Sequence, residues 1–193
     1  MESEASEYAY PVVGEIAIDL FVSKKHPGVT RGHLAFLDQS SNLVFRINPH
    51  SPKSLPSNNY KKVLLDASGE PLLSIYRYRN GLWKCYKGDS NEEKDLVFRV
   101  QRSLKTLTRV ELEVFLTGEK LEDSTCDLKV RGFPFQRSCS IYRDNSLLAQ
   151  TSLMYKLNQL FVSRKKFRLT IFPGSYDHAL FAALVVIFLN GRK

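Results

Sequence analysis

Cysteine is scarce in this chain. Three residues, Cys85, Cys126 and Cys139, stand far apart in 193 positions. An odd, widely spaced set excludes a disulfide framework and gives no paired zinc-ligand spacing. Reduced, structural thiols are therefore expected. Catalytic signatures are missing too: no Gly-x-Ser-x-Gly elbow, no phosphate-cradling glycine loop and no His-Glu-x-x-His pair occurs. No metal site and no cofactor is expected, and no enzyme activity. The four histidines, His26, His33, His50 and His178, are scattered. His26 and His50 sit beside prolines in turns, and His178 follows a candidate helix cap, Asp177. The only tryptophan, Trp83, reads as a packing residue.

Long apolar runs are lacking as well. The longest, Ala179 to Leu189, would span roughly 16 Å as a helix, about half a bilayer core. No basic-then-apolar leader opens the chain, whose first residues are acidic and polar, and no Asn-x-Ser/Thr acceptor occurs. The expectation is a cytoplasmic protein, neither secreted nor membrane-spanning, with peripheral membrane or nuclear placement compatible.

What is present is an ordinary core-forming composition, 43% hydrophobic and 25% charged, with a net charge of +8. Residues 1–14 show no periodicity and read as a flexible tail, and residues 15–193 read as a single domain. From Ile16 onward the pattern is of short apolar or alternating runs broken by turn signals. His33–Leu37 and Leu43–Ile47 flank Asp38-Gln39-Ser40-Ser41-Asn42. Val63–Leu65 and Leu72–Arg77 flank Asp66-Ala67-Ser68-Gly69. Ser138–Tyr142 and Leu147–Ala149 flank a tighter third turn. A Pro/Ser-rich loop is expected from Asn48 to Asn59. Val110-Glu111-Leu112-Glu113-Val114 and Phe167-Arg168-Leu169-Thr170-Ile171 alternate strictly, one face apolar and the other wet. A stretch near Tyr155–Phe161 has no readable type. In all, about twelve antiparallel, hairpin-linked elements emerge.

The run Ala179–Leu189 is apolar on every side, so it must be surrounded by protein. Ser175 or Asp177 can cap a helix there, and Asn190-Gly191 can stop it, which predicts a helix over about 176–189. A sheet of about twelve strands hides its edges by closing into a barrel, and a barrel that wide needs a plug. The predicted fold is mainly β: a closed antiparallel barrel enclosing one hydrophobic C-terminal helix.

Four segments carry a further likeness: Leu65-Asp66-Ala67-Ser68-Gly69-Glu70-Pro71-Leu72-Leu73; Trp83-Lys84-Cys85-Tyr86-Lys87-Gly88; Leu96-Val97-Phe98-Arg99-Val100-Gln101-Arg102; and Pro173-Gly174-Ser175-Tyr176-Asp177 leading into the apolar run. In this order they resemble the plant LURP-one-related family of the tubby C-terminal-like superfamily, which also holds phospholipid scramblases. The first hairpin departs from the family's Asp-x-x-Gly by placing Ser41 where glycine is usual. The resemblance implies a twelve-stranded barrel around a central helix, no established enzyme activity, and a link with plant defence. Tubby relatives bind phosphoinositides through basic surface residues and have been considered membrane-tethered transcription regulators. None of their lipid-binding residues is carried over to a position here.

The positive signal is charge. From Lys156 to Lys193 seven basic residues face one acid, Asp177, and Arg164-Lys165-Lys166-Phe167-Arg168 is the densest cluster. Lys129, Arg131, Arg137 and Arg143 form a second basic stretch on strands that could pair. The candidate lipid or anion site is Arg164, Lys165, Lys166, Arg168, Lys129, Arg131 and Arg143. An anionic phospholipid such as a phosphoinositide fits it. A solvated barrel exterior, or a protein-partner scaffold in defence signalling, is the alternative. Nucleic acid is disfavoured because exposed aromatics do not interleave with the basic residues. Scramblase-type translocation is disfavoured for want of a spanning segment, and a small-molecule substrate because the helix fills the lumen. A monomer is expected.

Overall fold

The computed structural model describes residues 16–27, 29, 33–49, 60–78, 80–106, 108–118, 125–154, 166–174 and 177–190. Twelve strands run in chain order around a closed barrel, every neighbouring pair antiparallel. They are β1 (Ile18–Ser23), β2 (Ala35–Leu37), β3 (Leu43–Pro49), β4 (Tyr60–Asp66), β5 (Pro71–Arg77) and β6 (Trp83–Lys87), then β7 (Leu96–Lys105), β8 (Val110–Leu116), β9 (Leu128–Phe133), β10 (Ser138–Arg143), β11 (Ser146–Leu153) and β12 (Lys166–Ile171). β1 closes on β12 from Ile18 opposite Ile171 to Ser23 opposite Lys166, so no sheet edge remains to be covered.

Alternation builds the wall. Val110, Leu112 and Val114 of β8 and Phe167, Leu169 and Ile171 of β12 are buried, while the residues between them face outward. In β9 the inward set is Leu128, Val130 and Gly132. At Gly132 a Cβ would lie 2.2 Å from the Ser138 carbonyl oxygen, so only glycine allows β9 and β10 to approach there. β3 reaches Pro49, so the Pro/Ser-rich loop begins two residues later than the composition suggested. The rest of that loop, the tail 1–14 and the stretch Tyr155–Phe161 lie outside the described residues.

Turn carboxylates set the hairpins. Asp66 Oδ1 accepts from the backbone N–H of Gly69 and Glu70 and from Ser68 Oγ, at 2.8, 2.9 and 2.7 Å. Gly69 there adopts φ +100°. Asp38 does the same for Asn42, accepting from its backbone N–H at 2.8 Å. In that hairpin Ser41 takes the left-handed conformation, φ 67°. The departure from the family pattern is thus accommodated as a locally strained residue rather than as a different turn.

The helix α1 (His178–Asn190) fills the barrel, and Ala179 to Phe188 are all buried. Asp177 caps it, its Oδ1 accepting from the Ala179 N–H at 2.9 Å. At roughly 1.5 Å per residue the helix is about 20 Å long, enough to run from one mouth to the other. Its far end meets the short 3₁₀ turn Pro134–Gln136. Its seven large buried side chains, Leu180, Phe181, Leu184, Val185, Val186, Ile187 and Phe188, each contribute about 1.5–3 kcal/mol. Strand alternation gives the barrel two distinct ends. The helix enters where β12 finishes, and the even-to-odd connections lie there. The odd-to-even connections lie at the exit end.

Candidate functional site: the basic end of the barrel

Charge divides along the barrel axis. Each of the six connections at the exit end, 24–34, 50–59, 78–82, 106–109, 134–137 and 154–165, contains at least one Lys or Arg and no Asp or Glu. Each of the six at the entry end, 38–42, 67–70, 88–95, 117–127, 144–145 and 172–177, contains at least one acid. Lys94 and Lys120 are the only basic residues among the latter. The wall strands carry few carboxylates: Asp19 and Asp66 near the entry end, and Glu111 and Glu113 on β8.

On the wall the cations have acidic neighbours. Arg109 Nη2 lies 2.6 Å from Glu111 Oε1, and Arg131 Nε lies 3.8 Å from Glu111 Oε2. Lys129 stands opposite Glu113 in the β8–β9 register. Arg168 Nη1 is 3.4 Å from Asp19 Oδ2, whose other oxygen accepts from Thr170 Oγ1 at 2.5 Å. A shallow cavity of about 390 Å³ opens on this wall near the exit rim. Arg109 and Arg131, the hydroxyls of Ser138, Ser140 and Tyr142, and the Phe133 ring line it. Two guanidinium groups sharing one carboxylate, beside three hydroxyls, suit an anion such as a phosphate.

At the rim the cations' close neighbours include other cations. Burial and the nearby Arg137 both lower the pKa of Lys24. Burial and Lys62 lower that of His33, and burial and Arg77 lower that of Arg102. Lys62 pairs with core residue Ile75, Arg77 with Trp83 and Arg102 with Leu112. Paired residues share a face of the sheet, so these three lie on the inner side of the wall at the mouth. The Arg77 guanidinium sits over the Trp83 ring, 5.5 Å from its centroid. Arg137 occupies a left-handed position, φ 56°, in the β9–β10 turn. Its carbonyl accepts from Thr151 Oγ1 at 2.9 Å, which ties the turn to β11.

The residues expected from sequence are distributed unevenly over this surface. Lys129 and Arg131 alternate outward on β9, and Lys166 and Arg168 outward on β12. Between them stand β10 and β11, so the two stretches lie three strand spacings apart, roughly 14 Å. Uncharged Ser140 and Gln150 fill the interval, and Arg137 stands at the rim between them. Arg143 is elsewhere: it lies at the entry end beside Asp144, in step with inward-facing Ile141. Arg164 and Lys165 fall outside the described residues. Sequence reasoning missed Lys24, Lys62, Arg77, Arg102 and Arg109. Summing charge over alternate connections would have found the end to which they belong.

A second cavity, about 410 Å³, lies at the entry end beside His178, Asp19 and Asp38, with Ile16, Ile18 and Val44. Both carboxylates are engaged elsewhere, Asp19 by Thr170 and Arg168 and Asp38 by Asn42. Among the described residues neither is hydrogen-bonded to His178, so this cavity presents no acid–base pair. Cys85 and Cys139 are wholly buried, and burial raises both thiol pKa values, that of Cys139 to about 12. Neither is a thiolate nucleophile at neutral pH. No helix is long and apolar enough to cross a membrane among the described residues.

A plugged twelve-stranded barrel with one basic mouth defines the class, and comparison with known proteins supplies the family. The LURP-one-related family model matches residues 18–189, and the chain belongs to that family. It is 51% identical to Protein LURP-one-related 7 of Arabidopsis thaliana over 176 residues, 91% of each chain. Protein LURP-one-related 15 of the same plant is 30% identical, covering 88% of this chain and 78% of its own. Protein LURP1 is 28% identical, over 91% of this chain and 84% of its own. An X-ray structure of an Arabidopsis thaliana protein superposes with a TM-score of 0.63, at 27% identity and 90% coverage of both chains.

Proposed function

We propose that this protein is a non-enzymatic binding module that docks on membranes bearing anionic phospholipid, with the exit end of the barrel as its contact surface. One observation carries the reading: every connection at that end is free of Asp and Glu, while every connection at the other end is acidic. Such a polarity orients the molecule in the field of an anionic surface, and each Lys or Arg brought near that surface contributes about 1 kcal/mol. The cavity with Arg109 and Arg131 offers a place for a phosphorylated headgroup within the same surface. Plant defence, as the setting of this activity, rests on the family resemblance.

Co-sedimentation with vesicles tests the reading. Phosphatidylcholine vesicles carrying phosphatidylserine or phosphatidylinositol bisphosphate, matched for total charge, should bind the protein. Phosphatidylcholine alone should not, and binding should fall steeply with added salt. Replacing Lys24, Arg137 and Lys166 together by Gln should weaken it by roughly two orders of magnitude, from about 1 kcal/mol per cation. Stronger binding to the bisphosphate at equal charge identifies a headgroup site, for which Arg109 and Arg131 are the first residues to replace. Equal binding to neutral and anionic vesicles would sink the proposal. Capture of one stoichiometric protein partner without vesicle binding would establish the scaffold reading instead.

A further inference from the structure

Membrane docking by charge alone needs no exposed apolar side chains, yet the basic end carries several. Phe135 in the 3₁₀ turn is 52% exposed, and Phe133 at the end of β9 and Met154 just after β11 are each 39% exposed. They stand at the exit ends of β9 and β11 and in the β9–β10 turn, with β10 between the two strands, so β9 and β11 are two strand spacings apart, roughly 10 Å. Phe133 stands opposite Ser138 in the β9–β10 register. One step beyond Leu153 opposite Phe167, the β11–β12 register brings Met154 beside Lys166. Arg137 completes the turn that begins with Phe135. Pro134, between the two phenylalanines, is the buried member of that turn.

We infer that Phe133, Phe135 and Met154 form an apolar tip that inserts into the acyl-chain boundary of an anionic bilayer, with Arg109, Arg137 and Lys166 as the surrounding cations. The inference rests on the membrane-docking reading and adds its mode: the barrel stands end-on, helix axis toward the bilayer. A ring of cations around protruding aromatic side chains matches the interface, where phosphates lie just outside the acyl region. A water-facing protein partner would favour the apolar tip equally, but a cationic surround whose one neighbouring carboxylate, Glu111, is already paired with Arg109 and Arg131 selects a partner that is anionic over its whole area. A bilayer with anionic lipid is one. The acidic end of a second copy of this chain is the main rival, although some of its carboxylates, Asp38 and Asp66 among them, already serve turns.

The test places a reporter at the tip. Trp83 is 2% exposed and stays sheltered, so Phe135→Trp adds one accessible indole to the full chain. Vesicles of equal parts phosphatidylserine and phosphatidylcholine should blue-shift its emission, and brominated acyl chains should quench it. Phe133→Ser combined with Phe135→Ser should lower the vesicle partition coefficient by about thirtyfold, from the loss of partial burial of two rings. Phe133→Leu with Phe135→Leu should retain most of it. If the protein sediments with these vesicles but the indole is not quenched, and the double Ser variant binds like wild type, docking is purely electrostatic and the tip is refuted. Failure of wild type to sediment would instead overturn the docking proposal and this one with it. A concentration-dependent dimer lost on Phe135→Ser would assign the tip to self-association and refute insertion.

Discussion

At the entry end Asp66 accepts from Gly69, Glu70 and Ser68, Asp127 Oδ2 accepts from the Leu116 N–H at 2.8 Å, and Asp177 caps the helix. At the exit end Lys24 lies near Arg137, Lys62 near His33 and Arg77 near Arg102. The entry-end carboxylates satisfy backbone N–H groups that would otherwise be orphaned by a turn or a helix start. At the exit end burial first, and then the neighbouring cation, disfavours the charged forms of Lys24, His33 and Arg102. A charge that holds the chain together is explained by folding. A group of like charges that works against folding points to function, because an anionic partner relieves the repulsion. The contrast predicts opposite signs: removing charge at the entry end destabilises, and removing it at the exit end stabilises.

The helix links the two ends, and its interruption sets the upper bound on any effect. Leu184 is wholly buried at mid-helix. Leu184→Asp puts a carboxylate among apolar atoms with no partner, at about 5 kcal/mol or more, comparable to the stability of a whole domain. The expected outcome is loss of soluble folded protein, read by expression and circular dichroism. A folded, soluble variant would refute the plugged barrel, and both ends would then need reinterpretation.

At the entry end, Asp177→Ala removes the oxygen that accepts from Ala179 N–H and the negative charge facing the helix N-terminus. A loss of about 1 kcal/mol is expected by denaturant titration, with an unchanged slope. Vesicle binding, referred to the folded fraction, should stay as in wild type. Ser41→Gly tests the strained hairpin at the same end. Its φ of 67° suits glycine, so stability should rise by about 0.5–1 kcal/mol after the entropy glycine costs. No gain would mean that Ser41 is held by contacts beyond its backbone angle.

The barrel and its plug were legible because two patterns are local. Strict alternation in Val110–Val114 and Phe167–Ile171 fixes which face is buried, and a run apolar on every side can only be interior. The boundaries were less so: the helix starts at His178, where Asp177 caps it, and β3 runs on to Pro49. The site was legible only in part. Lys166, Arg168, Lys129 and Arg131 were read as basic clusters along the chain, but the surface is assembled from chain-distant turns. Lys24 and Arg137 approach each other although 113 positions separate them in sequence. Arg143, two residues from Ile141 and five from Ser138, falls at the opposite end because a strand separates them. Sequence proximity misleads in a meander, where the number of intervening strands, odd or even, decides which turns are neighbours.

The smallest effect is the most discriminating. Lys24 is partly buried, and both burial and Arg137 lower its pKa from the usual 10.5. For a base with a lowered pKa, the cost to folding is present wherever the group is charged, and it is relieved as pH rises through the folded-state value. At neutral pH Lys24→Gln should therefore stabilise the free protein, by a few tenths of a kcal/mol once solvent screening is allowed for. His33 obeys the same rule in a different window. Its pKa is lowered from 6.5 by burial and Lys62, so its cost appears as pH falls through 6.5, and His33→Gln should flatten that part of the stability curve. Anionic vesicles should reverse the Lys24 result, since an anion beside the ammonium offsets the cost of its charge. The sign change is the point: more stable alone, more weakly bound. If Lys24→Gln instead destabilised the free protein, its cation would be structural, and the distinction between the two ends would fail at the residue where it is most sharply drawn.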